Sequence, residues 1–124
     1  MPLRAGDDGG ATPLRTTDLL VLAILVDGPQ HGYAIAQEMS IRSRGQVTVR
    51  PGDLYRVLYR MDSAGLIEPV PASARRDGSE RDGRRTTYRI TPTGRKVARV
   101  QAAMLRDICA AVLSHRSIVP GAAS

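Results

Sequence analysis

A mainly α-helical fold with one small β-hairpin is predicted by three features of this sequence. Residues 49–67 read as a helix with two chemically opposed faces, closed by Gly65. Residues 19–26 are eight apolar residues without a break, and residues 92–117 repeat apolar side chains every three or four positions. Together they predict a winged helix-turn-helix followed by a long C-terminal dimerisation helix.

The amphipathic segment is the most informative. At about 100° per residue, Leu54, Val57, Leu58 and Met61 fall in one apolar sector, whereas Tyr55, Arg56, Tyr59 and Arg60 point elsewhere. Pro51 pre-sets the backbone for a first helical turn, and Asp53 places a carboxylate where the amide dipoles leave positive charge. Gly65 stops the helix. Leu66 and Ile67 resume apolar character and run into Pro69 and Pro71, as a short edge strand would. A face of arginines and hydroxylated aromatics suits a phosphate-lined groove, so this is the expected DNA-reading helix.

The apolar run 19–26 fits either a buried strand or a helix covered on both sides, and flanking residues favour the helix. Thr16 or Thr17 offers an N-cap, Asp18 falls in the first turn, and Asp27-Gly28-Pro29 ends it. Such a helix needs cover on two faces, one from its own domain and one from a second subunit. The next helix is expected from about Gly32 to Ser43, with Ile35, Met39 and either Tyr33 or Ala36 facing inward. Gly45 breaks it, and residues 46–49 form a brief β-prone connector. Residues 72–85 make a polar, arginine-bearing loop, the expected wing tip. Thr86-Thr87-Tyr88-Arg89-Ile90 should then return antiparallel to Leu66-Ile67-Glu68. The final helix, from Thr91 or Pro92 to about Ser117, presents Val97, Val100, Met104, Leu105, Ile108, Val112 and Leu113 as a stripe wide enough for both the first helix and a twin chain. The expected organisation is a flexible arm (1–13), the winged helix-turn-helix domain (14–91), the dimerisation helix (92–118) and a flexible tail (119–124).

Composition narrows the partners. The chain has 124 residues, room for one small domain, and 18 basic against 12 acidic side chains leave a net charge of +6. Lys96 is the sole lysine; the remaining basic residues are arginine, whose planar fork pairs bidentately with phosphate and guanine. A polyanionic partner fits this balance, although a merely soluble basic surface would also produce it. Phe and Trp are absent and only four tyrosines supply aromatic area, so the core must be aliphatic. So small a core gains from added apolar burial between two subunits. A single cysteine, Cys109, forms no internal disulfide, and no apolar run approaches the ~20 residues of a membrane span. A cytoplasmic protein with no membrane contact is expected.

Catalytic chemistry is lacking. His31 and His115 are far apart, no serine or cysteine has an obvious base partner, and one Cys with two scattered His does not make a metal site. No phosphate-cradling glycine loop precedes a Lys-Ser or Lys-Thr pair. The sequence therefore predicts no enzyme, no metal and no cofactor. Cys109 beside the apolar stripe reads as a small buried hydrophobe, with a redox role as the competitor. His31 reads as a polar helix start.

In order along the chain, His31-Gly32-Tyr33-Ala34-Ile35, Pro51-Gly52-Asp53-Leu54-Tyr55, Arg60-Met61-Asp62-Ser63-Ala64-Gly65-Leu66-Ile67 and Gly83-Arg84-Arg85-Thr86-Thr87-Tyr88-Arg89-Ile90-Thr91-Pro92-Thr93-Gly94 resemble the PadR family of bacterial transcriptional regulators. The short C-terminal part is similar to the subfamily that ends in one long helix. This resemblance implies a homodimeric winged-helix repressor that sets two reading helices in successive major grooves of a palindromic operator. It also implies release of DNA when a small, often aromatic or cationic organic compound binds near the dimer interface; without Phe or Trp, such a pocket would rest on aliphatic side chains and a tyrosine, so a small hydrophobic effector is expected for this chain.

Matched residue by residue, the resemblance assigns Tyr55, Arg56, Tyr59 and Arg60 to the reading helix, Arg84 and Arg85 to the wing, and Tyr33 to the start of the supporting helix. Arg50, Gly52 and Tyr88 complete the candidate DNA-contacting set, and Leu19, Leu22, Val97, Val100, Met104, Leu105, Ile108 and Val112 form the candidate dimer interface. Arg50, Asp53 and Arg56 depart from the serine, Ser or Thr, and proline that are common there, so operator preference does not transfer. Each role has a plainer competitor: Tyr55 as half core, Arg84 and Arg85 as a solvated loop tip. The competing function is a winged-helix module that binds a protein partner and DNA weakly or not at all.

Overall fold

The computed structural model describes residues 14–71 and 86–118. Among these residues, four helices and three short strands follow in the order α1 (Thr16–Val26), β1 (Gln30–His31), α2 (Gly32–Arg42), α3 (Pro51–Ser63), β2 (Ile67–Pro69), β3 (Thr87–Ile90) and α4 (Pro92–Leu113). The expected arm, wing tip and tail (1–13, 72–85 and 119–124) lie outside the described residues, and with them Arg84 and Arg85.

The continuous apolar run does form a helix, and α1 runs through the centre of the core. Val21, Leu22, Ile24 and Leu25 are fully or almost fully buried, together with Ile35 and Met39 from α2 and Leu54, Leu58 and Met61 from α3. The cap falls on Arg15, one residue before the threonines expected there. Asp18, at the third helical position, reaches back to accept the Arg15 backbone N–H at 3.3 Å, the reciprocal half of a capping box, while no cap hydroxyl serves the first helical N–H groups. α2, α3, β3 and α4 of the same chain all pack against α1 and cover Val21, Leu22, Ile24 and Leu25, whereas Ala23 and Val26 stay exposed and Leu19 and Leu20 are half-buried.

α2 starts at a cap made by His31, whose Nδ1 accepts the Ala34 N–H at 3.3 Å. Ala36 packs on the core and Tyr33 points out, which resolves the alternative left by the sequence. The turn to α3 is irregular, not β: Arg44 and Gly45 both take positive φ, and residues 47–50 have no regular structure. α3 ends at Gly65 in the manner glycine permits. Its φ is +79°, the Gly65 N–H donates to the Asp62 carbonyl at 3.0 Å, and the Leu66 N–H donates to the Met61 carbonyl at 3.0 Å.

The sheet has three strands in the order β1-β3-β2, all antiparallel. Ile67 pairs with Ile90, Glu68 with Arg89 and Pro69 with Tyr88, close to the expected hairpin. β1, two residues pairing with Thr87 and Tyr88, was not anticipated, because Gln30-His31 has neither length nor apolar alternation.

α4 leaves from the point where α3 ends. The Thr91 N–H donates to the Leu66 carbonyl at 3.1 Å, its hydroxyl donates to the Gly65 carbonyl at 2.6 Å, and that hydroxyl accepts the Gly94 N–H at 2.9 Å. Gly94 then crosses Leu66 so closely that a Cβ would sit 2.1 Å from the Leu66 carbonyl oxygen and 2.9 Å from the Ile90 side chain. Val97 is buried in the core, and Gln101 accepts the Leu14 N–H at 3.1 Å, tying the start of α1 to α4.

Gly94→Ala must push two backbones apart. It is expected to lower unfolding free energy by about 2–3 kcal/mol in urea titration. Gly52→Ala, where an added Cβ meets nothing within 4 Å, should leave stability unchanged or raise it by about 0.5–1 kcal/mol.

Candidate nucleic-acid interface

α3 divides its side chains by burial. Leu54, Leu58 and Met61 anchor it, with Val57 partly buried beside them. On the opposite side, the Arg56 side chain is 82% exposed and Tyr59 is 75% exposed. Arg50 at the N-cap and Gly52 in the first turn are exposed as well. Tyr33, 64% exposed, stands at the start of α2. Gly32 brings that start onto α3, because its Cβ position lies 3.3 Å from the Tyr55 ring. Arg44, exposed in the positive-φ turn that joins α2 to α3, adds a cation that the sequence did not single out. A basic residue in the turn before a reading helix was the available signal.

The arginines of α3 are not equivalent. Arg56 pairs with Asp53 one turn back at 3.2 Å, with both side chains more than half exposed. Such a pair contributes at most about 1 kcal/mol and yields readily to a phosphate. Arg60 instead reaches across to α1 and meets Asp18 at 2.5 Å, where the carboxylate side chain is only 7% exposed. Arg60, expected to point outward to a base, keeps 43% of its side chain exposed but is engaged by a buried charge in α1. Asp18 was legible as a helix-start acid, but no local signal names its partner 42 residues away.

Two tyrosines of the expected set are likewise drawn into the protein. Tyr55 is half-buried against the core, the plainer role weighed for it. Tyr88 lies on the central strand, also half-buried. Its hydroxyl is held above the ordinary tyrosine range, first by burial and then by the charges of Asp62 and Tyr55 nearby. Arg89 beside it pairs across the hairpin with Glu68 at 2.8 Å.

α4 presents a second surface. Beyond Gln101 none of its residues is buried by the chain itself, and Val100, Met104, Ile108 and Val112 recur four apart, all 44–54% exposed. Leu105 is half-buried. Two residues expected at a dimer interface are not available for one: Leu22 is 0% and Val97 4% exposed, both taken up by the chain's own core. Leu19 is half-buried. Cys109 is exposed, contrary to the buried role expected of it.

Among the described residues no helix is long and apolar enough to cross a membrane, and no group of three or more His, Cys, Asp or Glu is placed to hold a metal.

Three core helices, a three-stranded antiparallel sheet and a long last helix define a winged-helix protein of the kind found among transcription regulators. The family model for the PadR-like transcriptional regulators matches residues 21–100, and the chain belongs to that family. It is 34% identical over 104 residues to the transcriptional regulator Rv3488 of Mycobacterium tuberculosis, covering 83% of this chain and 88% of that protein. A 37.1 kDa protein of transposon Tn4556 from Streptomyces fradiae is 35% identical over 91 residues, which are 72% of this chain but only 23% of that protein. Among solved structures, a PadR family transcription regulator from Clostridium difficile superposes with a TM-score of 0.63 at 28% identity, covering 79% of this chain and 95% of that one. A transcriptional regulator from Clostridium thermocellum shares the fold with a TM-score of 0.64 at 24% identity, covering 77% and 85%.

The Tyr88 environment has a consequence for alkaline stability. A proton held more tightly by the folded than the unfolded chain supports folding below the unfolded value, about 10. That support is lost as pH rises through the raised folded value. In an absorbance titration one tyrosine should ionise above the ordinary range, and Tyr88→Phe should remove that component and lessen the loss of stability at alkaline pH.

Proposed function

We propose that the protein is a sequence-specific DNA-binding repressor that acts as a homodimer. The observation that supports this reading best is the division of α3, whose aliphatic side is locked in the core while Arg56 and Tyr59 stand exposed to solvent. Within a family of transcriptional regulators, that outward face is the natural reader of a major groove. In this reading Arg56 grips a guanine edge or a phosphate, and the Tyr59 and Tyr33 hydroxyls fix register on phosphates. Arg50 adds a cation at the end of α3 that enters the groove, and Arg44 another in the turn between α2 and α3. Gly52 keeps the first turn bare, so the backbone can approach the duplex. Tyr55 and Tyr88 act from behind, as packing that holds this surface. Arg84 and Arg85, which lie outside the described residues, belong to the same proposal, as minor-groove or phosphate contacts.

Pairing is assigned to the uncovered part of α4. Val100, Met104, Leu105, Ile108 and Val112 would close on the same stripe of a twin chain, with Leu19 at the margin. The pair must then present its two α3 helices about 34–36 Å apart, one turn of duplex. Repression follows from occupying a promoter. Relief by a small hydrophobic compound belongs to the same reading, because a molecule lodged among the paired α4 arms would change the separation of the reading helices and favour the state that does not fit DNA.

A gel-shift titration against DNA upstream of the protein's own gene, repeated at several salt concentrations, tests the DNA reading. Affinity should fall steeply with salt as counterions are released, and Arg56→Ala should weaken binding by about tenfold. Binding that ignores salt would favour a protein-interaction module instead. Ile108→Asp and Met104→Asp, at positions exposed in the single chain, should halve the mass seen by light scattering while helical content is kept; an unchanged mass would remove the assigned dimer face.

A further inference from the structure

The ion pairs Arg56–Asp53, Arg89–Glu68 and Arg106–Asp107 have both ends well exposed, and in the pairs of Arg42 with Asp27 and Glu38 each end keeps about a third or more of its surface. Asp18 and Arg60 differ, because the carboxylate is nine-tenths buried and the two residues belong to different helices. Both carboxylate oxygens are engaged: Oδ2 accepts the Arg15 backbone N–H at 3.3 Å, and Oδ1 accepts Arg60 Nη2 at 2.5 Å. Arg15 starts α1, and the residue before it, Leu14, is tied by its own N–H to Gln101 of α4. A line of polar contacts thus runs from α4, through the start of α1, to the last turn of α3.

We propose that Asp18 and Arg60 are a positioning pair for α3, fixing the direction of the reading helix against α1 and α4, and that Arg60 itself makes no contact with DNA. The proposal rests on the reading of α3 as the DNA-binding helix. Its physical basis is the cost of desertion. If Arg60 swung out to a phosphate, a buried carboxylate would be left without its cation, a far larger penalty than Arg56 incurs in leaving the exposed Asp53. Leverage makes the position matter. α3 has 13 residues, about 20 Å at 1.5 Å per residue, so a pivot of roughly 10° at the Arg60 end moves the other end by about 3 Å. That is enough to break every base contact made there.

The two roles for Arg60 predict opposite results. If it touched DNA, Arg60→Ala would lower the salt slope by about one phosphate, and Asp18→Ala, by removing a negative charge and freeing the arginine, would leave binding unchanged or tighten it. A positioning pair predicts that Asp18→Ala and Arg60→Ala each weaken operator binding by about tenfold, with unchanged salt slope, and that the double variant loses no more than the worse single one. Additive losses, a reduced slope for Arg60→Ala or tighter binding by Asp18→Ala would overturn the proposal. Should Asp18→Ala fail to fold, Asp18→Asn, which keeps the shape and an acceptor, is read in the same way.

Amide hydrogen exchange on the free protein supplies a second measurement that needs no DNA. Asp18→Ala and Arg60→Ala should speed exchange in the last turn of α3, and Arg56→Ala should not. Unchanged exchange would overturn the positioning role. Loosened exchange in a protein that binds no DNA at any salt would instead leave the positioning role standing and remove the DNA-binding reading.

Discussion

Much of this molecule is set by how the chain treats one carbonyl group. The Leu66 N–H closes α3 by bonding back to Met61, and the Leu66 carbonyl accepts the N–H of Thr91 where α4 begins. Because residue 94 is glycine, the first turn of α4 can then slide across that same carbonyl in near contact. The end of one helix, the first strand of the hairpin and the start of the last helix are therefore built around a single residue, Leu66. Little slack is left between the element that faces outward with Arg56 and Tyr59 and the element that carries the uncovered apolar stripe. Coupling between the two is a matter of backbone geometry before any side chain is considered.

A chain so rich in arginine must decide which guanidinium groups stay in the structure and which remain on offer. The decision is made by the acids. Arg42 is claimed by Asp27 and Glu38, Arg89 by Glu68 and Arg60 by Asp18, so each braces one element on another or on its own helix. Asp53 holds Arg56 only loosely, on a fully wetted face. Net charge says that cations are in excess; among these pairs only Arg60 has a buried carboxylate for its partner, whereas the acids that meet Arg42, Arg56 and Arg89 all keep more than a third of the side chain exposed.

The helices were legible because their signals are local. Pro51 and Gly65 bracket α3 by backbone preference alone, and the spacing of Leu54, Leu58 and Met61 gives its buried side. The hairpin was legible from β-branched and aromatic residues facing a short apolar segment. Long-range contacts were not. Nothing within a few residues of Arg60 reveals that it pairs with an acid of α1, and nothing near Gln30 and His31 announces a third strand, whose pairing is supplied by β3. The same limit explains Leu22 and Val97. Leu22, in a continuous apolar helix, looks as though it needs a second subunit to cover it until the arrangement of α2, α3, β3 and α4 around that helix is known. The stripe on α4 past Gln101 read correctly as apolar, but how much of that helix its own chain would cover depended on where Gly94 let it cross.

The distribution of aromatic residues has an optical corollary. With tryptophan and phenylalanine absent, near-ultraviolet absorption and intrinsic emission arise essentially from Tyr33, Tyr55, Tyr59 and Tyr88. These sit on α2, α3 and β3, and α1 and α4 contain none. Light therefore samples only one side of the molecule: two chromophores in solvent and two wedged behind them report on the outward surface of α3 and its support, while melting confined to the projecting arm would pass unseen in such spectra.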